Sequence, residues 1–487
     1  MESHTNKGNK NLISLLAGPL MFVVAVLLLP GDVFSTTSSA AIGTLIWMGI
    51  WWANLPVEIG VTAFVPILVN LFFQLIPMDE LLRKYATETF VLLLGADIIA
   101  LYWSKVGLDK RIAISSLVLI GPSLGQQIIV WFSASAFLSM FLPNLAVCAM
   151  LTPIAFSMIK SAGENDCSKS TAGAFIICSI AWGCGIGGLG TPMGGAMNLV
   201  AVEYLEDLIG KEFLYVDWAV RFIPLLILLV VGNLAVLMLL KPKGAKLPSS
   251  REFFRSTYNE LPPMSRYEKI GLLLFALMII LPFARPLYVD LIPNLKPAYV
   301  FILLAFSVFF IPAEDGKPLL GWTEAFKDVY WGILFMISSG LAVGYLITET
   351  GAASEFASLL TSFRLSGGFG MILAIVTFTV LLSESSNNTS AAAISVPIVI
   401  SFTKVLNLNP IPYVFITIAA FNSAYMLPTT VRSIPIGYGV PTKFLLKKGF
   451  LLTVTTIILI SVIGYLFISL IPGFSILSLI EPITTKI

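Results

Sequence analysis

Histidine is almost missing from this chain. Of 487 residues only His4 is one, and it lies in a short polar stretch ahead of the first apolar run. A His-ligated zinc, a Ser–His catalytic pair and a haem with an axial His therefore cannot be built in the apolar body. Charge is scarce too: Asp, Glu, Lys and Arg make up 11% of the sequence and sum to +2, which disfavours nucleic acid as a partner. The four cysteines (Cys148, Cys167, Cys178 and Cys184) sit mostly inside apolar segments and read as small packing residues rather than a disulfide framework. What fills the chain is apolar. A hydrophobic fraction of 57% lies outside the soluble range and indicates a polytopic, all-α membrane protein.

Apolar windows long enough to cross a bilayer predict spans near 12–29, 40–54, 57–76, 89–105, 171–200, 216–240, 267–288, 297–312, 330–348, 411–440 and 449–471. The run Leu12 to Leu29 is too long for a signal-peptide core and is expected to be a retained first span. Pro77 to Glu88 and Gly321 to Val329 are short and mixed, and are expected to lie along the interface. Two further stretches, 123–158 and 367–403, are too long for one crossing and are broken by polar clusters. They are expected to be re-entrant hairpins, which lipid tolerates only where protein or a water-filled cavity satisfies their backbone.

The two stretches are copies. Gly107, Asn144 and Pro153 recur as Gly351, Asn388 and Pro397, each 244 positions later (351−107, 388−144, 397−153). Glycine and proline also interrupt two spans, at Gly187–Pro192 and at Pro428–Pro435. Interrupted hydrophobic segments in corresponding places of two halves point to the binding site of a secondary transporter. The basic clusters at 105–111, at Lys160 and Lys169, at 241–269 (with Lys241, Lys243, Lys246, Arg251, Arg255, Arg266 and Lys269) and at 443–448 all fall on one side if the N-terminus is cytoplasmic. The C-terminus is then outside, and the chain is integral to the plasma (inner) membrane, with lipid as an obligate partner. The expected division is N-terminal scaffold helices at 1–88, a first transport region at 89–215, scaffold helices at 216–329, a second transport region at 330–448, and a last scaffold helix with tail at 449–487.

Four motifs resemble the divalent-anion/sodium symporter family of di- and tricarboxylate transporters. Ser139-Met140-Phe141-Leu142-Pro143-Asn144-Leu145 is similar to the family's first hairpin tip, and Ser383-Glu384-Ser385-Ser386-Asn387-Asn388-Thr389 to its second. Gly187-Gly188-Leu189-Gly190-Thr191-Pro192-Met193-Gly194, running on to Asn198, resembles the break in its fifth span, and Trp322 to Gly351 the approach to its ninth. The resemblance implies an inverted repeat, a homodimer, an elevator-like transport domain, and a substrate site where two hairpin tips meet two helix breaks. The chain departs from the family's Ser-Asn-Thr at the first tip, where Pro143 and Leu145 remove two hydroxyls, and at the second break, where Val431-Arg432-Ser433-Ile434 stands for Thr-Pro-Pro-Asn.

Helix N-termini at the tips and breaks would offer backbone N–H groups to a carboxylate. The candidate substrate contacts are Asn144, Asn387, Asn388, Thr389, Thr191, Thr430 and Arg432. Candidate sodium ligands are Ser139, Asn144, Gly188, Ser383 and Asn388, with a further carbonyl at Thr430. The competing reading is that these polar residues merely cap and glue helices. Arg432 is expected either to clamp a substrate carboxylate or to replace a coupling cation. If it is instead paired internally, Asp97 and Glu384 are its candidate partners. The sequence thus points to a secondary transporter of small divalent anions, C4-dicarboxylates or related citric-acid-cycle intermediates, by sodium symport. The alternative is sodium-independent exchange, ahead of an anion channel or a sulfate carrier. An enzyme is not expected, because no His base or acid pair is in place.

Overall fold

The computed structural model describes residues 2–117, 121–164, 167–245, 247, 250–355 and 367–475. Lys246 of the basic loop and residues 476–487 of the tail lie outside the described residues. Among the described residues regular structure is helical apart from isolated β-bridges, such as that between Pro312 and Pro318. Helices satisfy their own backbone groups, the condition that lipid imposes on a chain this apolar. Among the described residues six helices are long and apolar enough to cross a membrane, including Tyr215–Leu240, Trp331–Glu349 and Thr442–Leu470. The chain is an all-α polytopic membrane protein.

The sequence repeat is also a structural one. Asn144–Ser161 and Asn388–Val405 are both 18-residue helices that start on Asn and carry an internal proline, Pro153 and Pro397, at the same register. They end alike. The residues that follow their caps, Gly163 and Asn407, take φ of +88° and +54°, the left-handed conformation that Gly and Asn tolerate best. The Gly163 amide donates to the Lys160 carbonyl at 3.0 Å, and the Asn407 amide to that of Lys404 at 2.9 Å. Each helix is preceded by another, Leu124–Ser139 and Phe369–Ser385, so two helical hairpins result, with tips at 140–143 and 386–387.

Each hairpin is followed by a broken helix. The first runs Thr171–Gly187, turns through Gly188–Gly190 and Pro192–Gly194, and resumes as Ala196–Ile209. The second stops at Phe421 and resumes only with the turn Thr430–Arg432 and Ser433–Gly437. The 12-residue half Pro410–Phe421 rises about 18 Å, well short of the ~30 Å hydrocarbon core, so it cannot cross that core by itself.

Several boundaries differ from the sequence expectation. The span expected at 57–76 is two pieces, Ile59–Thr62 and Val65–Phe73, because Pro66 starts a helix rather than continuing one. Pro286 divides 267–288 in the same way, into Arg266–Phe283 and Arg285–Tyr288. The first broken helix continues to Ile209 rather than 200, and the last helix begins at Thr442 rather than 449. Leu108–Leu117 and Ser250–Asn259 are helices that hydropathy missed, since both are largely polar.

The helix Trp331–Glu349 joins two groups of neighbours. Its Met336 and Val343 share an apolar cluster with Phe22, Met48, Trp52 and Val69, and its Ala342, Leu346 and Ile347 share another with Ala41 and Leu81. On another side Gly340 lies close to Ala393 of the second hairpin. This helix therefore packs with the N-terminal helices along one face and with the hairpin along another.

Candidate functional site

The first tip is a concentration of oxygen atoms. Ser139 ends the first limb, and its hydroxyl, on a side chain with 0% exposure, has no hydrogen-bond partner. Asn144 opens the second limb, and its Oδ1 is buried and unpartnered as well. Asn144 Oδ1 and the backbone carbonyl of Ser139 face the glycine break, while the Ser139 hydroxyl lies beside the Cys184 thiol. A Cβ added at Gly188 would lie 3.1 Å from Asn144 Oδ1 and 3.0 Å from the Gly194 carbonyl oxygen. One added at Gly194 would lie 2.4 Å from the Gly188 oxygen and 2.9 Å from that of Ser139. Glycine is required at both places so that backbone carbonyls can converge there. Thr191 is engaged elsewhere: its hydroxyl donates to the Met140 carbonyl and accepts from the Gly194 amide at 3.1 Å.

The helix that starts at Asn144 has Pro143 as its N-cap, which makes no side-chain cap. Its first amides therefore have no intrahelical acceptor and no capping side chain, the arrangement that favours an anion.

At the second tip Ser383 Oγ lies 2.9 Å from both Asn388 Oδ1 and the Phe421 carbonyl oxygen. One hydroxyl proton cannot serve two acceptors at once, so this trio has an oxygen lone pair to spare. Asn388 and Thr389 are half-buried. Asn387 behaves differently: its Oδ1 accepts from the Ser390 amide at 2.9 Å and its Nδ2 donates to Ser390 Oγ at 2.8 Å. That is an N-cap, so at this position the capping alternative describes the geometry.

The second break holds the buried charges. Arg432, 2% exposed, donates to the carbonyls of Leu427 at 2.7 Å and Ala424 at 3.0 Å and to Thr429 Oγ1 at 2.6 Å, and lies 3.8 Å from Glu384. Every nitrogen of the guanidinium is turned toward the protein, an arrangement unlike the carboxylate clamp anticipated from the sequence. Glu384 accepts from the amides of Tyr425, Met426 and Leu427 and from Thr453 Oγ1 at 2.8 Å. The pair therefore ties the second hairpin to its break. Asp97 is not a partner of Arg432; its carboxylate lies near the backbone N–H of Tyr330. Thr430 sits at φ +46°, a strained conformation for a β-branched residue, and its carbonyl accepts from Ser433 Oγ at 2.6 Å.

The two breaks also touch. Trp182 Nε1 donates to the Tyr425 carbonyl at 2.9 Å, and Asn422 Nδ2 donates to Asn198 Oδ1 at 2.8 Å. Asn422 was not singled out from the sequence, although an Asn directly after the apolar run Pro410–Phe421 was a usable signal. The four cysteines are buried thiols outside any disulfide, as packing residues are.

A family model described as "Citrate transporter" matches residues 42–420 of the chain. The sodium-dependent dicarboxylate transporter SdcS of Staphylococcus saprophyticus is 26% identical over 471 residues, which cover 93% of this chain and 91% of that protein. The protein of the same name from Staphylococcus aureus (strain MRSA252) is 25% identical over 482 residues, covering 96% and 92%. Among solved structures, the YdaH transporter of Alcanivorax borkumensis has a similar fold, with a TM-score of 0.54 at 13% identity over 80% of this chain and 86% of that one. With most of its length matched, the chain belongs to the citrate transporter family, within the divalent-anion/sodium symporters that its tips resemble, and is a multi-pass membrane transporter rather than an enzyme.

Proposed function

We propose that this protein is a sodium-coupled symporter of divalent organic anions, C4-dicarboxylates or close relatives, working by an elevator motion of its two hairpins and broken helices. The observation that carries the reading is the oxygen surplus at the first tip. Asn144 Oδ1 is buried without a partner where the Gly188, Gly194 and Ser139 carbonyls converge, and Ser139 Oγ, also without a partner, is buried next to the Cys184 thiol. Leaving such atoms unpaired costs about 1–3 kcal/mol each, and an oxygen-only donor set suits a hard cation. The residues present therefore fit sodium: Ser139, Asn144 and Gly188 at the first tip, Ser383, Asn388 and the Phe421 carbonyl at the second. The names of the two staphylococcal relatives agree with both sodium and dicarboxylate.

The uncapped amides at Asn144 and the side chains of Asn388 and Thr389 are the groups left to meet a dianion. Thr191, Asn387, Thr430 and Arg432 hold the tips and breaks in place around it. The exchange reading needs Arg432 to replace a cation. Glu384 at 3.8 Å leaves that pair without net charge, which favours coupling by sodium.

In this reading the helix Trp331–Glu349 stands between scaffold and transport regions, since Met336 and Val343 pack with the N-terminal helices while Leu334, Ile337 and Leu341 share the main core with the second hairpin. The N-terminus is cytoplasmic, and the protein works as a homodimer. The test is uptake by Ser139→Ala against external sodium. We expect half-saturation to move ten- to hundredfold higher, the equivalent of about 1.5–3 kcal/mol for one contact to a charged ligand. An unchanged sodium response would remove the first site from the scheme.

A further inference from the structure

Four hydrogen bonds connect the two oxygen clusters through a single pair of amides. Asn198 stands in the first turn of Ala196–Ile209, and its Nδ2 donates to the Gly188 carbonyl at 2.7 Å and the Thr191 carbonyl at 2.9 Å. Its Oδ1 accepts from Asn422 Nδ2, which also donates to the Ile418 carbonyl at 2.9 Å. Gly188 belongs to the first cluster. Asn422 follows Phe421, whose carbonyl belongs to the second. Both side chains have 0% exposure, and Asn422 Oδ1 is left without a partner. The amide is thus held in the one orientation that joins the two breaks, although an acceptor stays unsatisfied as a result.

We infer that Asn198 and Asn422 are a positioning pair that makes occupation of the two clusters cooperative. This rests on the sodium reading above. A cation drawing on the Gly188 oxygen changes what that oxygen offers Asn198. Through the Asn198–Asn422 bond it then biases the backbone at 421–422, where the second cluster takes its carbonyl. The link is a contiguous chain of fixed hydrogen bonds between the two halves, through residues 224 positions apart, and it is reciprocal, as binding linkage must be.

The test is the sodium dependence of succinate uptake into proteoliposomes by the parent protein, Asn422→Leu, Asn198→Leu and the double variant. The expected parent response is sigmoidal with a Hill coefficient of roughly 2, falling to roughly 1 in each variant with no further fall in the double. A purely structural role would lower the amount of active protein without changing the shape of the curve. Parent-like coefficients in the variants overturn the inference, as does a parent coefficient near 1 with sodium still required. A parent that ignores sodium overturns the symport reading itself, before any substitution is examined. Should the leucine variants not fold, Asn422→Ser removes the same donor from a smaller side chain and carries the same expectation.

Discussion

A buried hydroxyl without a partner destabilises the protein that carries it, and Ser139 is one. Its removal should therefore act in opposite directions on two measurements. Ser139→Ala is expected to raise thermal stability in sodium-free buffer and to abolish the further stabilisation that sodium gives. Equal melting shifts on adding sodium to parent and variant would contradict the assignment. Arg432 and Glu384 follow the opposite rule. Each is buried and fully engaged, so removing one strands the other, a loss of about 3–5 kcal/mol. Arg432→Gln and Glu384→Gln should each unfold at markedly lower temperature, and the double variant should lose less than the sum of the two. Additive losses would show that the two charges do not act as a pair.

Among the elements, the hairpins were the most legible part of the sequence. Asn144/Asn388 and Pro153/Pro397 mark a helix start and an internal proline at the same register in both, and the structure repeats even their left-handed ends. The glycine break was legible for a related reason, because only glycine lets carbonyls approach as closely as Gly188 and Gly194 do. The partners of Arg432 were only half legible. Asp97 and Glu384 are both acidic residues in apolar runs, and the choice between them depends on how the second hairpin meets its break. Asn387 and Asn388 likewise differ only in direction, one capping a helix and the other facing Ser383. Pro143 leaves the second limb of the first hairpin without a side-chain cap. Pro143→Ser with Leu145→Thr restores two hydroxyls at this tip and is expected to lower the sodium concentration for half-maximal uptake. No shift would argue against a role for this tip in binding the cation.

For the molecule as a whole, the elevator reading needs a surface along which the hairpins can move, and the helix Trp331–Glu349 supplies one. Gly340 and Gly344 let the second hairpin and the Ala196–Ile209 helix approach closely: a Cβ at Gly344 would fall 1.5 Å from Tyr204 Oη. Close approach through small residues is how membrane helices pack without a hydrophobic driving force between them. Beside this contact lies a cavity of about 210 Å³ lined by Lys84, Glu203, Asp207, Tyr345 and Lys404. Gly344→Ala is expected to slow uptake, and Tyr204→Phe in the same protein to restore part of the rate. Normal uptake by Gly344→Ala alone would mean that this contact does not limit movement. The central claim is coupling. It is tested most directly by uptake of radiolabelled succinate into proteoliposomes, with or without an inward sodium gradient and with empty or succinate-loaded interiors. The account predicts that a sodium gradient drives accumulation into empty vesicles. Uptake that ignores sodium and requires internal dicarboxylate would contradict it and identify an exchanger.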